Sequence, residues 1–515
     1  MAALGTVAAL SRGGPAQPDY REALVATHRP VALDPLFAGD DPGARDLSRL
    51  LYRRLLHLDN RALPTSDLAA TWGTSGDGLE YRFTIGADKR WSDGSRLTVA
   101  DVAASVALVQ VADFPDPHLA AAWKGITTTV GVDSIVFHLS APRSSFPATI
   151  SDLPIVPAAG IKGRTTAELK RTATQAMPTS GLYRVAASDS AIVRLQPNPQ
   201  ASMRPSLRSL EFHLVATSDD GIRLLGSGQV DAFTAIDPQQ RAAAARIAGV
   251  HLHDMLSFRF VDLLFNTRRP GFADPAVRRA IAQAIDRGAL VMSALGGAGR
   301  TQVGAIPDGV QWIVNRPTEQ PDPRLSARAL DAAGWTVGTG GVRSRNGEML
   351  AYPLTVPDAD PLPEVAAALA NQLGKIGVSL TVHPVPVAQF LDQVITPGAF
   401  DVAIADWDNG PDPDVSAYWR SNAIPPNGFN VSGLSADPFL DRALDALATE
   451  ADAALRQAAA EKVNQRLADD APAVFLYTPT ITLAVGEGFN SLNVPAAGLP
   501  GDRYAAIDTW RRGPP

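Results

Sequence analysis

The stretch Asp406-Trp407-Asp408-Asn409-Gly410-Pro411-Asp412-Pro413-Asp414 is the most suggestive polar cluster in the chain. A carboxylate beside an indole can hold a ligand ammonium, while the ring offers stacking or a cation–π contact. The spacing of the acids also resembles a calcium loop, but Ala417 stands where the closing bidentate Glu belongs, which argues against calcium. The competing reading is an acidic, Pro-rich surface turn. Other chemistry is sparse. His251 and His253 sit two apart, as ligands on one strand face do, with no third ligand at a sensible spacing. There is no phosphate loop, no G-x-S-x-G elbow and no H-E-x-x-H. Gly338-Thr339-Gly340-Gly341 reads as a hairpin tip and not as a dinucleotide fingerprint. Cys is 0, so thiolate chemistry and disulfides are excluded. No catalytic residue, metal or cofactor is expected, and the pattern favours a binding protein over an enzyme.

The elements that must carry the cluster follow from periodicity. Phe400 to Ala405 is an apolar strand leading into it, and loops after strands are where α/β proteins place ligand groups. Leu354–Val356, a helix over 363–375 and Val378–Val382 form a β-α-β unit, and Phe258 to Phe265 is a further strand. Tyr81, Phe83 and Ile85 alternate on a strand. Ser92-Asp93-Gly94 turns the chain, and Thr98 with Asp101 starts a helix through a capping box. Asp274-Pro275 opens another helix. Leu47, Leu50, Leu51, Leu55 and Leu58 predict one helix, and residues 387–394 another. Strands interleaved with helices predict an α/β fold with mixed sheets.

The 515 residues are 45% hydrophobic and 19% charged, a normal globular balance with room for two to four domains. A net charge of -7 argues against a nucleic-acid partner. The first ten residues, MAALGTVAAL, are apolar but too short to span a bilayer and lack a basic start. Residues 1–18 are read as the remainder of a signal or membrane-anchor segment with its linker, the competing reading being an ordinary apolar N-terminus.

Four passages, in order, resemble the extracytoplasmic solute-binding proteins of ABC importers, oligopeptide/dipeptide class (family 5), over about Arg21 to Trp510. They are Leu33-Asp34-Pro35 with Leu51 to Asp59; Leu68 to Trp72 running on through Trp91-Ser92-Asp93-Gly94 to Val102; Phe265-Asn266-Thr267 with Phe272 to Arg287; and Ala399 to Trp407 with Asp412-Pro413 and Ala471 to Tyr477. The resemblance implies a two-lobed periplasmic-binding-protein-like α/β fold with an inserted accessory α/β domain. Lobe I would comprise about 19–60, 171–256 and 480–512, the insert 61–170, and lobe II 257–479. It implies a monomeric receptor outside the cytoplasmic membrane. Such a receptor closes on a short peptide or related small solute and delivers it to the permease subunits; other members bind nickel chelates, opines or sugars. Peptide-binding relatives pair an Asp a few residues after this Trp407 with the ligand's amino group. Here the loop is shorter, and Asp408, directly after Trp407 and followed by Asn409, aligns with that place across a two-residue gap and is the candidate. Tyr183 is expected to face the cleft. Asp358-Ala359-Asp360 stands where dipeptide binders carry a carboxylate-binding Arg. That departure and the shortened acidic loop motivate an alternative, a chain that has lost solute binding and acts as an envelope scaffold or regulator.

Overall fold

The computed structural model describes residues 17–513, apart from 311, 314–319 and 435; the apolar start of the chain lies outside them, save for its last two linker residues. Twelve strands join in one sheet, most of them along the path Ser379–Val385, Ala351–Pro357, Val402–Asp408, Arg259–Phe265, Ala473–Gly486, Ala232–Ala235, Tyr20–Val25, Leu210–Val215, Ile192–Pro197 and Tyr183–Ser188. The fourteen-residue strand Ala473–Gly486 holds the two ends of this path together. Its first half pairs with Arg259–Phe265 and Gly299–Thr301, and its second half with Ala232–Ala235 and Val250–Leu256.

Each end of the sheet has its own apolar packing. Beyond Arg259, residues 261, 263 and 265 face a core with Val402, Ile404 and Val474, while Phe260 and Leu264 face a second core with Ala403, Phe475 and Trp419. This is the period-2 pattern of a strand buried on both faces. The expected β-α-β unit is present: Ala351–Pro357 and Ser379–Val385 pair in parallel across the helix Leu362–Gly374. On the other side, Tyr20, Leu24, Phe212 and Tyr183 share a core that runs without a break into Tyr81, Phe83, Trp123, Phe137 and Phe146. The last five line a separate four-stranded sheet of residues 69–138, ordered Ala69–Thr74, Glu80–Ile85, Ser134–His138 and Thr127–Val130. Full burial of each such ring contributes about 1.5–3 kcal/mol.

The turn and cap after Ile85 form as read. Asp93 Oδ1 accepts from the Ser95 N–H at 2.9 Å, Gly94 takes a φ of 91°, and Asp101 Oδ2 accepts from the Thr98 N–H at 2.8 Å ahead of the helix Val99–Val109. Asp274 caps Pro275–Ala284. The leucine-rich helix is shorter than its spacing predicts. It ends at Leu51, and Leu56–Leu58 is a strand. The reason is Asp67, whose carboxylate takes the Arg54 N–H at 2.9 Å and pairs with Arg53, drawing the chain out of the helix. Residues 390–395 close a wider π turn and not a regular helix. Near the C-terminus Arg503, fully buried, pairs with Glu22 at 2.9 Å and Asp46 at 2.7 Å, tying the first strand and first helix to the last turns.

Candidate functional site

The strand Val402–Asp408 carries the cluster's first three residues to the edge of the region where the chain passes from one end of the sheet to the other. Its antiparallel register sets Arg259 opposite Asp408, Phe260 opposite Trp407, and Asp262 opposite Ala405. Alternation therefore divides the cluster between two faces. Asp406 and Asp408 share a face with Arg259. Trp407 turns the other way, into the company of Phe260 and Asp262.

On the first face Arg259 grips Asp406 with two donors, Nε at 3.0 Å and Nη2. Burial raises the Asp406 carboxyl and the Arg259 charge lowers it; the same pair, against burial, holds the guanidinium above its usual value. Asp408 is exposed and in no ion pair among the described residues, its Oδ1 accepting only from the Gly410 N–H at 3.1 Å.

On the second face the indole N–H of Trp407 donates to Asp262 Oδ1 at 3.3 Å. The ring contacts Tyr418 and Phe429 at centroid distances of 5.1 and 5.7 Å, and these two stack at 6.1 Å. The Tyr418 hydroxyl donates to the Asp408 carbonyl at 3.2 Å, so the aromatic group is bonded to the loop it borders.

The rest of the run is held in place by hydrogen bonds and one ion pair. Asn409 is fixed by its N–H to the Phe258 carbonyl at 3.2 Å and by its Nδ2 to the Asp412 carbonyl at 2.6 Å. Asp412 is half of a buried pair with Arg456 at 2.6 Å and also accepts from the Asp414 N–H; Asp414 in turn accepts from the Ser416 N–H. Gly410, at a φ of 68°, makes the turn between them.

Tyr183 requires a correction. It is the first residue of its strand, fully buried in the core with Phe212 and Leu207, and its hydroxyl donates to the Leu207 carbonyl at 3.1 Å. Inward alternation makes it a core residue, on the far edge of the sheet from Trp407. Sequence reasoning missed Arg259, Asp262, Tyr418 and Phe429. The one signal for Asp262 was an acid inside the apolar run Phe258 to Phe265.

The two ends of the sheet also meet through side chains. Gln239 Nε2 donates to Asp360 Oδ2 at 2.8 Å, and Arg241, paired with Asp254, reaches the Gly296 carbonyl at 3.4 Å. Asp360 is thus engaged by a neutral amide at the position where an Arg was missing. From the four-stranded part, Ser144 bonds the Leu447 and Ala448 carbonyls, each at 2.9 Å. Two cavities, of 760 and 310 Å³, lie away from these residues, at His251–His253 beside Glu487 and between Arg279 and Asn464. Among the described residues no three His, Asp or Glu side chains converge as metal ligands.

Comparison with known proteins agrees with this architecture. The family model described as bacterial extracellular solute-binding proteins, family 5 (middle), matches residues 64–428. Protein XP55 of Streptomyces lividans is 29% identical over 458 residues, covering 87% of this chain and 81% of that protein. The oligopeptide-binding protein OppA of Mycobacterium tuberculosis is 27% identical over 450 residues, 84% of this chain and 74% of its own. Among solved structures, the periplasmic murein tripeptide binding protein MppA in its unliganded open form superposes with a TM-score of 0.80 at 19% identity, covering 97% of this chain and 99% of that one.

Proposed function

The chain belongs to the bacterial extracellular solute-binding proteins of family 5, and on that premise we propose that it captures short peptides, or a related small solute with a cationic end, for an ABC importer. The lobes that close on the solute are 19–60, 171–256 and 480–512 on one side and 257–479 on the other, with 61–170 inserted. The receptor works as a monomer outside the cytoplasmic membrane and hands its solute to the permease subunits. Among the described residues no helix is long and apolar enough to cross a membrane.

The observation that carries this reading is Asp408. Of the acids in and after this strand, Asp406 and Asp412 are neutralised by Arg259 and Arg456, and Asp414 is half-buried and accepts the Ser416 N–H. Asp408 alone among them keeps an exposed carboxylate outside any ion pair, at the strand end nearest the crossing between lobes. A solute ammonium would complete it with a charge-assisted bond. Oligopeptide binding by the relative OppA supports the same solute class.

The test is a thermal-shift screen of the purified chain against di- to nonapeptides, each also as its N-acetylated form. Capture through Asp408 predicts that free-amine peptides raise the melting temperature and that acetylation removes the shift. A library in which no peptide raises it would overturn the proposal.

A further inference from the structure

Asp262 lies in the middle of the strand Arg259–Phe265 and is fully buried. It faces Ala405 across one ladder and Phe475 across the other, and the second ladder slips its register between Val261 and Asp262. Its Oδ1 accepts from the Trp407 indole N–H. Its Oδ2 is the one buried carboxylate oxygen among the described residues with no hydrogen-bond partner.

A carboxylate in such a place costs several kcal/mol unless a cation or a proton neutralises it. The groups around it supply no cation. The strand Val402–Asp408 presents Trp407 on this face, with the negative Asp406 acting through the strand from the other; the helix Ser416–Trp419 presents the Tyr418 hydroxyl, and the strand Ala473–Gly486 presents Phe475 at that register. Arg259 is committed to Asp406 on the opposite face. Burial pushes the Asp262 carboxyl up to about 8, against the indole N–H and with the Asp406 charge adding to the rise. The group is therefore protonated at neutral pH.

We infer that Asp262 is a proton-linked positioning residue, whose loss of a proton tightens its hold on the Trp407 indole and adds one negative charge beneath the candidate site. A carboxylate accepts the indole N–H more strongly than a neutral carboxyl does. The group of Arg259, Asp406, Asp408 and Asp262 then passes from one net negative charge to two. A cationic solute group near Asp408 favours the ionised form, so seating it expels the proton, and affinity for a cation rises with pH until Asp262 is fully ionised. This last consequence rests on the peptide-capture reading; the titration of the indole does not.

The experiment is ¹⁵N-tryptophan NMR on the full chain without solute, between pH 6 and 10, with the Trp407 resonance assigned by its loss in Trp407→Phe. The expected result is a shift of that resonance with a single midpoint near the Asp262 value, abolished in Asp262→Asn while the other indoles are unchanged. A second variant, Asp406→Asn, lowers the midpoint by removing the neighbouring charge and freeing Arg259. A Trp407 resonance that stays still over this range, or moves equally in Asp262→Asn, overturns the inference. So does a midpoint indifferent to Asp406→Asn. A flat titration with peptide binding intact discards this inference alone, whereas a failed peptide screen leaves the titration to be read on its own.

Discussion

Trp407 and Asp408 are chain neighbours that leave their strand on opposite faces, the indole bonded to Asp262 at 3.3 Å and the carboxylate lying across from Arg259. The pair does not form one surface on which a ring and an acid act together. A solute end held by Asp408 meets the indole only by reaching around the strand end, where the Tyr418 hydroxyl already holds the Asp408 carbonyl.

Asp408→Asn will weaken a solute with a free amino end by about 1–3 kcal/mol, the worth of a charge-assisted bond. Calorimetry with a peptide selected by the screen measures it. The melting temperature without solute stays unchanged, because no ion pair is lost. Equal affinities would make the loop a surface turn and nothing more.

Asp412 behaves in the opposite way. Asp412→Ala strands the buried Arg456 guanidinium, at a cost of about 3–5 kcal/mol in denaturant unfolding. Removing both partners, as Asp412→Asn with Arg456→Met, costs less than either single change. A neutral single variant would contradict the buried pair.

Tyr183→Phe deletes a hydroxyl bonded to a carbonyl inside the core and will cost about 1 kcal/mol of stability with peptide affinity unchanged. A loss of affinity at unchanged stability would return this residue to the cleft.

Burial pushes the Asp34 carboxyl up to about 6, against the Leu36 N–H it accepts. The folded chain then holds this proton more tightly than the unfolded chain, whose Asp titrates near about 4. Stability from this group is lost as pH rises from about 4 to about 6 and is constant above. Asp34→Asn removes the loss, so the variant's melting temperature relative to wild type climbs across that window and then levels off. A difference independent of pH would count against it.

The Gln239–Asp360 bond joins the two ends of the sheet at an exposed position. If solute is held by closure, Gln239→Ala will speed its release about two- to fivefold, the effect of about 0.5–1 kcal/mol, with the association rate unchanged. Stopped-flow release from a labelled peptide reads it directly.

Local chemistry was legible wherever it is decided within a few residues. Thr98 with Asp101, Asp274 with Pro275, and the alternation of Tyr81, Phe83 and Ile85 each carry their own geometry. What failed was set from far away. The leucine spacing after Leu51 still reads as a helix, but the competing acceptor, Asp67, comes 16 residues later. Tyr183 could not be told from a cleft residue until its strand was seated at the sheet edge. The pairing of Asp406 with Arg259, 147 positions apart, depends wholly on strand order. The family passages fixed the fold class, but the division of Trp407 and Asp408 between faces came from register alone.

The strand Ala473–Gly486 runs through the middle of both ends of the large sheet. On a ribosome it is made well after both of its partners, so Arg259–Phe265 and Ala232–Ala235 each wait with an open edge until it arrives. Both ends wait on the same strand, and pairings of such long sequence separation form slowly. A chain stopped at Pro472 would lose the shared partner of both ends at once and leave two open strand edges, the geometry that invites edge-to-edge aggregation.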